Sequence, residues 1–529
     1  MKLKNIFLFI WGFLAAGAVF AQFPGYIFPN VGSAFAGPGS TPSEAKPTVC
    51  IGSFDVPVTI NNKYDASTGN LWISQDAEFC ENVRTNSNNP KSQYASYSLI
   101  GIEQLSSLSE TDEVLGRFLN EEWLGVELSG SNIGHIDLYF LSDFDFGQYD
   151  PLSEDKSCIK NHTPLPFRNG EGSLNGAGFT MRNLCFEGRA ADMNKKPLGL
   201  FGDIVNGSVK HLNLANVKFT VAVSENETVK IPPVGAFVGR TSESLFEDDS
   251  IADITINAPY AGAFAGYVQN STIGNIRADD DIFVYNTSNV GPGATFYDLD
   301  WTAGIKVFLG GVAGVSSDGE MVGISMGAKI QDSSDVTNSA IGGLAGLGVV
   351  GQSRKAFQTS LKIRDINFFK RNERTYTKIM GGRFMGGFFG HVALFKNTLN
   401  SQNISNINID KSSFVGNVFH GVSDDSVFAG GMVGFSNFVN GGLLKIESSF
   451  VDVTIKDSIN DLAGQYFAGG FVGLATGVGS NASSADKRLK ITSSKAQGKI
   501  YVGGFSGEEG SNVYLGGFAG KAVLSVASD

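Results

Sequence analysis

GGMVG at residues 430–434 and GGFVG at 469–473 are two copies of one pentapeptide: glycine, glycine or alanine, an apolar residue, any residue, glycine. Further copies read GAFVG (235–239), GAFAG (262–266), GGVAG (310–314), GGLAG (342–346), GGFFG (386–390), GGFSG (503–507) and GGFAG (516–520). A degenerate LGLFG at 198–202 precedes them. From Gly202 the final glycines fall at Gly239, Gly266, Gly314, Gly346, Gly390, Gly434, Gly473 and Gly507, steps of 37, 27, 48, 32, 44, 44, 39 and 34 residues, and Gly520 ends the series. A short fixed core recurring near 40 residues with elastic spacers marks an array of stacked repeats, each packing only on its neighbours.

Between the cores lie strand-length pieces in which apolar and polar residues alternate, such as VKHLNLANVKFTV (209–221), ISNINIDKSSFVG (404–416) and KIESSFVDVTI (445–455). That alternation is the mark of a half-buried strand. About three short strands per repeat make one turn of a parallel β-helix, with successive turns about 4.8 Å apart. The expected fold class is therefore all-β, a right-handed parallel β-helix. The third residue of each pentapeptide then points inward, in a column of Phe237, Phe264, Val312, Leu344, Phe388, Met432, Phe471, Phe505 and Phe518. The flanking glycines serve tight bends and close approach of neighbouring backbone. A propeller has blades of about 40–45 residues, but the shorter repeats here have no room for four strands.

Met1–Ala21 reads as a secretory signal: Lys2 and Lys4, an apolar run over 6–20, and a small residue, Ala21, before Gln22. Residues 22–47 form a Gly/Pro-rich linker, and 48–95 a small β region or N-terminal cap. The stretch 96–130 is the helical candidate, with apolar residues spaced at three and four, so 96–197 is read as the start of the stack with a capping helix. The repeats proper occupy 198–529. No second stretch is long and apolar enough to span a membrane as a helix. The chain closes nine residues after the last GGFAG without a barrel, anchor or capping helix in view, so an end-to-end partner at an open C-terminal turn is expected.

A net charge of −12 excludes nucleic acid as the natural partner, since phosphates require a basic face. With 67 glycines, 15 prolines and a 42% apolar share, the composition is that of a folded chain. The four cysteines, Cys50, Cys80, Cys158 and Cys185, sit in the N-terminal third of a chain read as exported. Disulfides are expected there; three connectivities exist, and the local pairs Cys50–Cys80 and Cys158–Cys185 are the ones chosen. No C-x-x-C pair supports zinc.

The pentapeptide, preceded by strands of the Ile-x-Asn-apolar kind, resembles the GLUG motif of bacterial surface and secreted proteins. SLIGIEQLSSL (98–108), IDLYFLSDFDFG (136–147), GSLNGAGFTMRNLCFEG (172–188) and LGLFGDIVNGSVKHLNLANV (198–217) are similar to the flank of such repeats. The chain departs at Leu174–Phe179, where the usual Asp and His are missing. The likeness covers about 96–520 and implies a β-helix on, or released from, a bacterial cell. It implies adhesion and names no reaction.

Chemistry-bearing patterns are sparse. His420 with Asp424 and Asp425 resembles the histidine and carboxylates of pectin-degrading β-helix hydrolases, where two carboxylates flank a glycosidic bond. Asp279, Asp280 and Asp281 behind Arg277 are calcium candidates, although a consecutive triplet cannot by itself converge six to eight oxygens. Glu247–Asp249 and Asp298/Asp300 beside Trp301 are comparable acidic turns. No cofactor motif occurs. The functional expectation is an exported cell-surface, outer-membrane-associated or extracellular module, adhesive or structural, with a polysaccharide or cell-surface ligand. The alternative is a β-helix polysaccharide lyase or glycoside hydrolase.

Overall fold

Residue-by-residue alternation makes strands with one buried face, as in Asn406–Asp410 and Ser413–His420, where every second side chain is buried. The structure, a computed structural model, describes residues 48–526 apart from 55, 68–69, 87–93, 102–136, 154–156, 166–172, 279–280, 300–301, 303, 335–337, 352–359, 370–376, 396–404, 421–425, 440–441, 458–463, 480–488 and 503–511. The signal 1–21 and the linker 22–47 thus lie outside the described residues. Among those described, the chain is almost entirely β, with one α-helix, Ala77–Asn86, and one 3-10 turn, Ala190–Met193.

Sheets of 20, 13 and 8 strands run through the repeats. One repeat shows the plan: Val427–Gly430 lies in the 8-stranded sheet, Val433–Val439 and Leu443–Glu447 in the 20-stranded sheet, and Phe450–Asp457 in the 13-stranded one. Each strand pairs in parallel with its counterpart one repeat on, Phe428 opposite Phe467, Val433 opposite Val472, Ile446 opposite Ile491, Val451 opposite Ala496. The pentapeptide is the corner that carries the chain from the 8-stranded sheet into the 20-stranded one. Hydrogen bonding continues through it: Leu344 N donates to Phe388 O (2.9 Å), Phe388 N to Met432 O (2.8 Å), and Met432 N to Phe471 O (2.9 Å).

The expected interior column is present. Phe237, Phe264, Val312, Leu344, Phe388, Met432 and Phe471 are at most 1% exposed, and the rings of Phe237 and Phe264 stack at 4.8 Å. Phe505 lies outside the described residues; Phe518, in the last repeat, is 53% exposed.

The glycines act differently from the bends expected of them. None of the described pentapeptide glycines has a left-handed backbone. A Cβ on Gly434 would instead sit 2.6 Å from Gly390 O and from Met385 N, and one on Gly346 would sit 2.6 Å from Ala340 O. The two sheets therefore meet backbone to backbone, at a separation that only glycine permits. Left-handed corners are supplied elsewhere, by His211, Asp248, Asn275, Asp365, Lys411, Ser448 and Ser493 (φ +46° to +56°), at equivalent places where the chain enters the 13-stranded sheet. Short polar side chains tolerate that conformation best, which explains most of this column. Behind it stands a serine ladder in which Ser412 N donates to Ser449 Oγ (3.3 Å) and Ser449 N to Ser494 Oγ (3.1 Å).

At the N-terminal end the pattern changes. Thr48–Phe54 is flanked antiparallel by Leu71–Ser74 and Tyr94–Gly101, and the parallel stack begins where Leu71–Ser74 meets Asp137–Phe140. The helix expected over 96–130 is corrected at its start, because 94–101 is a strand held by this ladder; 102–130 lies outside the described residues. The helix that forms, Ala77–Asn86, is opened by Asp76, whose Oδ1 accepts from Phe79 N (2.9 Å). It packs Cys80 and Val83 against Trp72 and Phe54 in a small core of its own. Disulfides join Cys50 to Cys80 and Cys158 to Cys185.

Candidate functional site

The residue after the last glycine of each described pentapeptide keeps register from repeat to repeat, giving a column of Asp203, Arg240, Tyr267, Val315, Leu347, His391, Phe435, Leu474 and Lys521; register passes from 469–473 directly to 516–520, and GGFSG at 503–507 lies outside the described residues. Its first members are polar and gather a charged cluster beside an aromatic ring. Arg240 Nη1 donates to Asp203 Oδ2 at 2.9 Å, and Arg240 Nε lies 2.9 Å from Asp298 Oδ2 without hydrogen-bond alignment. Tyr297 lies beside them, with Lys230 Nζ 4.7 Å and the Arg240 guanidinium 5.9 Å from its ring centre.

Two insertions between repeats build this cluster. Lys230–Ile231 pairs in parallel with Thr295–Phe296, so one insertion clasps the other and holds Tyr297 and Asp298 over the sheet. Burial pulls the Arg240 pKa down, but Asp203 and Asp298 outweigh it and leave the guanidinium more basic than usual. Burial raises the Asp203 carboxyl, and Arg240 opposes that rise. A ring flanked by a guanidinium, an ammonium and two carboxylates can stack on an apolar ligand face while hydrogen-bonding its polar edge. Sequence reasoning named Asp298 only as an acidic turn and missed Asp203, Arg240 and Tyr297. The signal was available, since Asp203 and Arg240 each follow a pentapeptide glycine directly.

The sequence candidates for catalysis are placed otherwise. His420 ends the strand Ser413–His420, is fully buried, and puts Nδ1 3.2 Å from Asp457 Oδ1 in the next repeat. Tyr466 is buried with them, its phenol pushed up first by burial and then by Asp457. An imidazole with no exposed surface meets no polysaccharide, so His420 cross-links repeats rather than facing a substrate. Asp424 and Asp425 lie outside the described residues, as do Asp279, Asp280, Asp300 and Trp301; Asp281 and Arg277 are exposed. In the turn 247–249, Asp249 points inward, accepts from Leu212 N at 2.8 Å, and is raised well above the carboxylate range by burial.

His162 and His391 are buried as well, with burial lowering the first to about 4 and the second to about 3. His162 contacts Gly199 O and Gln148 Nε2; His391 lies between Phe384 and Phe435. Cys158, Cys185 and Glu187 bring ligand-type atoms together, but the two sulfurs are joined to each other. Among the described residues no helix is long and apolar enough to cross a membrane. No family model, no curated protein and no solved structure matches the chain.

Proposed function

We propose that this chain is an exported right-handed parallel β-helix of GLUG-type repeats. Its role is adhesive or structural, at the surface of a bacterial cell or released from it, with glycans or partner surfaces as ligands. One observation carries the reading: repeats of unequal length pair in register through all three sheets, so their insertions leave a rigid scaffold at fixed corners. Such a frame presents loops for contact and needs no catalytic cleft. Two disulfides favour an oxidising compartment. The cluster of Arg240, Lys230, Tyr297 and Asp298 is the contact surface the proposal assigns. The hydrolase alternative loses its principal residue to the core, because His420 is sealed beside Asp457.

The test is depletion of the purified protein by a panel of insoluble and acidic polysaccharides, with soluble sugar assayed in the same tubes. The expected outcome is selective depletion without sugar release, weakened at least tenfold by Tyr297→Ala combined with Arg240→Ala. Sugar release that disappears in His420→Ala, or on replacing Asp279–Asp281 by asparagine, would establish the enzyme instead.

A further inference from the structure

Alternation turns every second side chain of the 13-stranded sheet out of the stack. Six strands pair in turn there, from Ile282–Asn286 to Lys495–Tyr501. Their outer face bears Lys329, Lys378, Lys456, Lys495 and Lys499 against a single acid, Asp452. The whole chain carries −12, so a surplus of four positive charges on one face runs against its average. Asp452 is itself engaged, accepting from Gln497 Nε2 at 3.0 Å. None of the five lysines pairs with a carboxylate among the described residues, whereas Lys218 meets Glu187 and Lys445 meets Glu447. Lys329 even stands directly opposite Lys378 on the next strand, an arrangement that repels.

Aromatic rings hold these charges in place. Lys329 Nζ lies 4.4 Å from the Phe283 ring centre, Lys378 Nζ 5.2 Å from that of Phe419, and Lys495 Nζ 5.9 Å from that of Phe450. Phe283 is also stacked on Tyr285 at 4.4 Å, so its ring is closed to a nucleobase, the usual anchor of a single strand of nucleic acid. The charge spacing argues against a duplex as well. Five interstrand steps span about 24 Å, one surplus charge per roughly 6 Å, whereas double-stranded DNA carries one per about 1.7 Å. A polyuronate carries one carboxylate on each sugar, and an extended pyranose chain advances by about one interstrand step per ring. Register lays the charges out for such a chain. Phe283, Lys329, Lys378, Asn417, Thr454 and Lys499 form one column along the stack, and Lys456 stands in the column beside it.

We infer that the outer face of the 13-stranded sheet binds a linear acidic polysaccharide laid along the stack, its carboxylates against Lys329, Lys378, Lys456 and Lys499. The inference rests on the adhesive reading and adds to the Arg240 cluster a second face, on a different sheet, that selects for charge. Ammonium groups on a flat sheet hold such a polymer electrostatically, so the contact weakens as salt rises.

The test measures binding of soluble polygalacturonate to the exported chain by calorimetry, at low and at high ionic strength. Lys329→Gln combined with Lys378→Gln and Lys456→Gln is expected to weaken binding at least about tenfold and to flatten its dependence on salt. Arginine at the same three positions is expected to restore both. Lys362→Gln with Lys445→Gln and Lys490→Gln removes as much charge from the 20-stranded sheet and is expected to change binding less than about threefold. Equal losses in the two glutamine triples, or tighter binding of a single-stranded oligodeoxynucleotide than of polygalacturonate, would overturn the inference. So would a chain that ignores polygalacturonate while other polysaccharides still deplete it through Tyr297 and Arg240, a result that leaves the adhesive reading standing. Binding to no polysaccharide at all would fail both.

Discussion

Gly434→Ala places a methyl carbon 2.6 Å from three backbone atoms at once: Gly390 O, Met385 N and Met385 O. Comfortable contact needs about 3.5 Å, so the corner must open by roughly 0.9 Å in more than one direction. Nothing at the site is a flexible side chain that can swing aside. The strand Phe384–Gly386 is held in the 8-stranded sheet, and Phe388 N and Phe389 N both donate to Met432 O. Overpacking of this kind costs about 3 kcal/mol, and the loss of chain entropy in the unfolded alanine variant returns about 0.7 kcal/mol. A net destabilisation of about 2 kcal/mol follows, which is roughly 30-fold in an opening equilibrium. In a stacked array the effect stays near the altered repeat. Amide hydrogen exchange read on Phe384–Gly386 and Val433–Val439 is therefore a sharper assay than a melting curve. Gly517→Ala is the matched control, since its methyl enters open space; exchange there should change less than about threefold. Equal effects of the two substitutions would refute the claim that these glycines are selected by close approach of the sheets.

Three further outcomes follow from buried groups and from the cross-links. His391 has a folded-state pKa of about 3, below its unfolded value, so its stabilisation is present above pH 6.5 and is lost as the pH falls toward 3. Between pH 7 and pH 5 this amounts to about 2 kcal/mol, and His391→Phe should flatten that part of a stability–pH profile while fitting beside Phe384 and Phe435. Asp318 behaves oppositely: burial raises it to about 7, so its contribution is full below pH 3.8 and is lost as the pH rises through 7. Asp318→Asn keeps a residue type that tolerates the observed φ of 49°, and it should stabilise the repeat at pH 8 by about 2–4 kcal/mol while leaving pH 4 nearly unchanged, as read by local hydrogen exchange. Replacing Cys50 and Cys80 by serine should remove about 3.5 kcal/mol from the N-terminal end, given their separation of 30 residues, and accelerate proteolysis there without changing exchange in 427–479.

The repeats were legible because the described corners share one five-residue pattern, although the pattern overcounted: GGFSG at 503–507, with Gly507, falls between the paired corners 469–473 and 516–520. The inward column from Phe237 to Phe471 followed from position alone, since the third residue of the corner has nowhere to go but the interior. The glycines were read half correctly: sequence offers the same letter for a left-handed bend and for a close contact, and only the facing backbone separates the two. The bends fell to a column whose members, from His211 to Ser493, share a place but no single residue type. His420 was weighed as a candidate with Asp424 and Asp425 because they are close in sequence; the burial alternation of Ser413–His420 turns it inward, toward an aspartate 37 residues away. The helix Ala77–Asn86 was missed because three turns with a modest apolar face carry little periodic signal, while 96–101 was joined to the helical spacing that begins at Ile102 and was claimed by an antiparallel partner. The Arg240 cluster depends on two insertions meeting, and no local pattern announces that.

Both disulfides lie at one end of the molecule, upstream of the first full repeat. Under a pulling force the two ends would therefore yield unequally. Tension on the C-terminal side would peel strands from the stack one repeat at a time, each step releasing a length set by that repeat's own spacer. Near the other end the same load would meet covalent loops that cannot lengthen until a sulfur–sulfur bond is reduced. A stack of this construction would extend in graded increments from one side while its disulfide-closed end kept its architecture, behaving as a shock absorber with one stiff end.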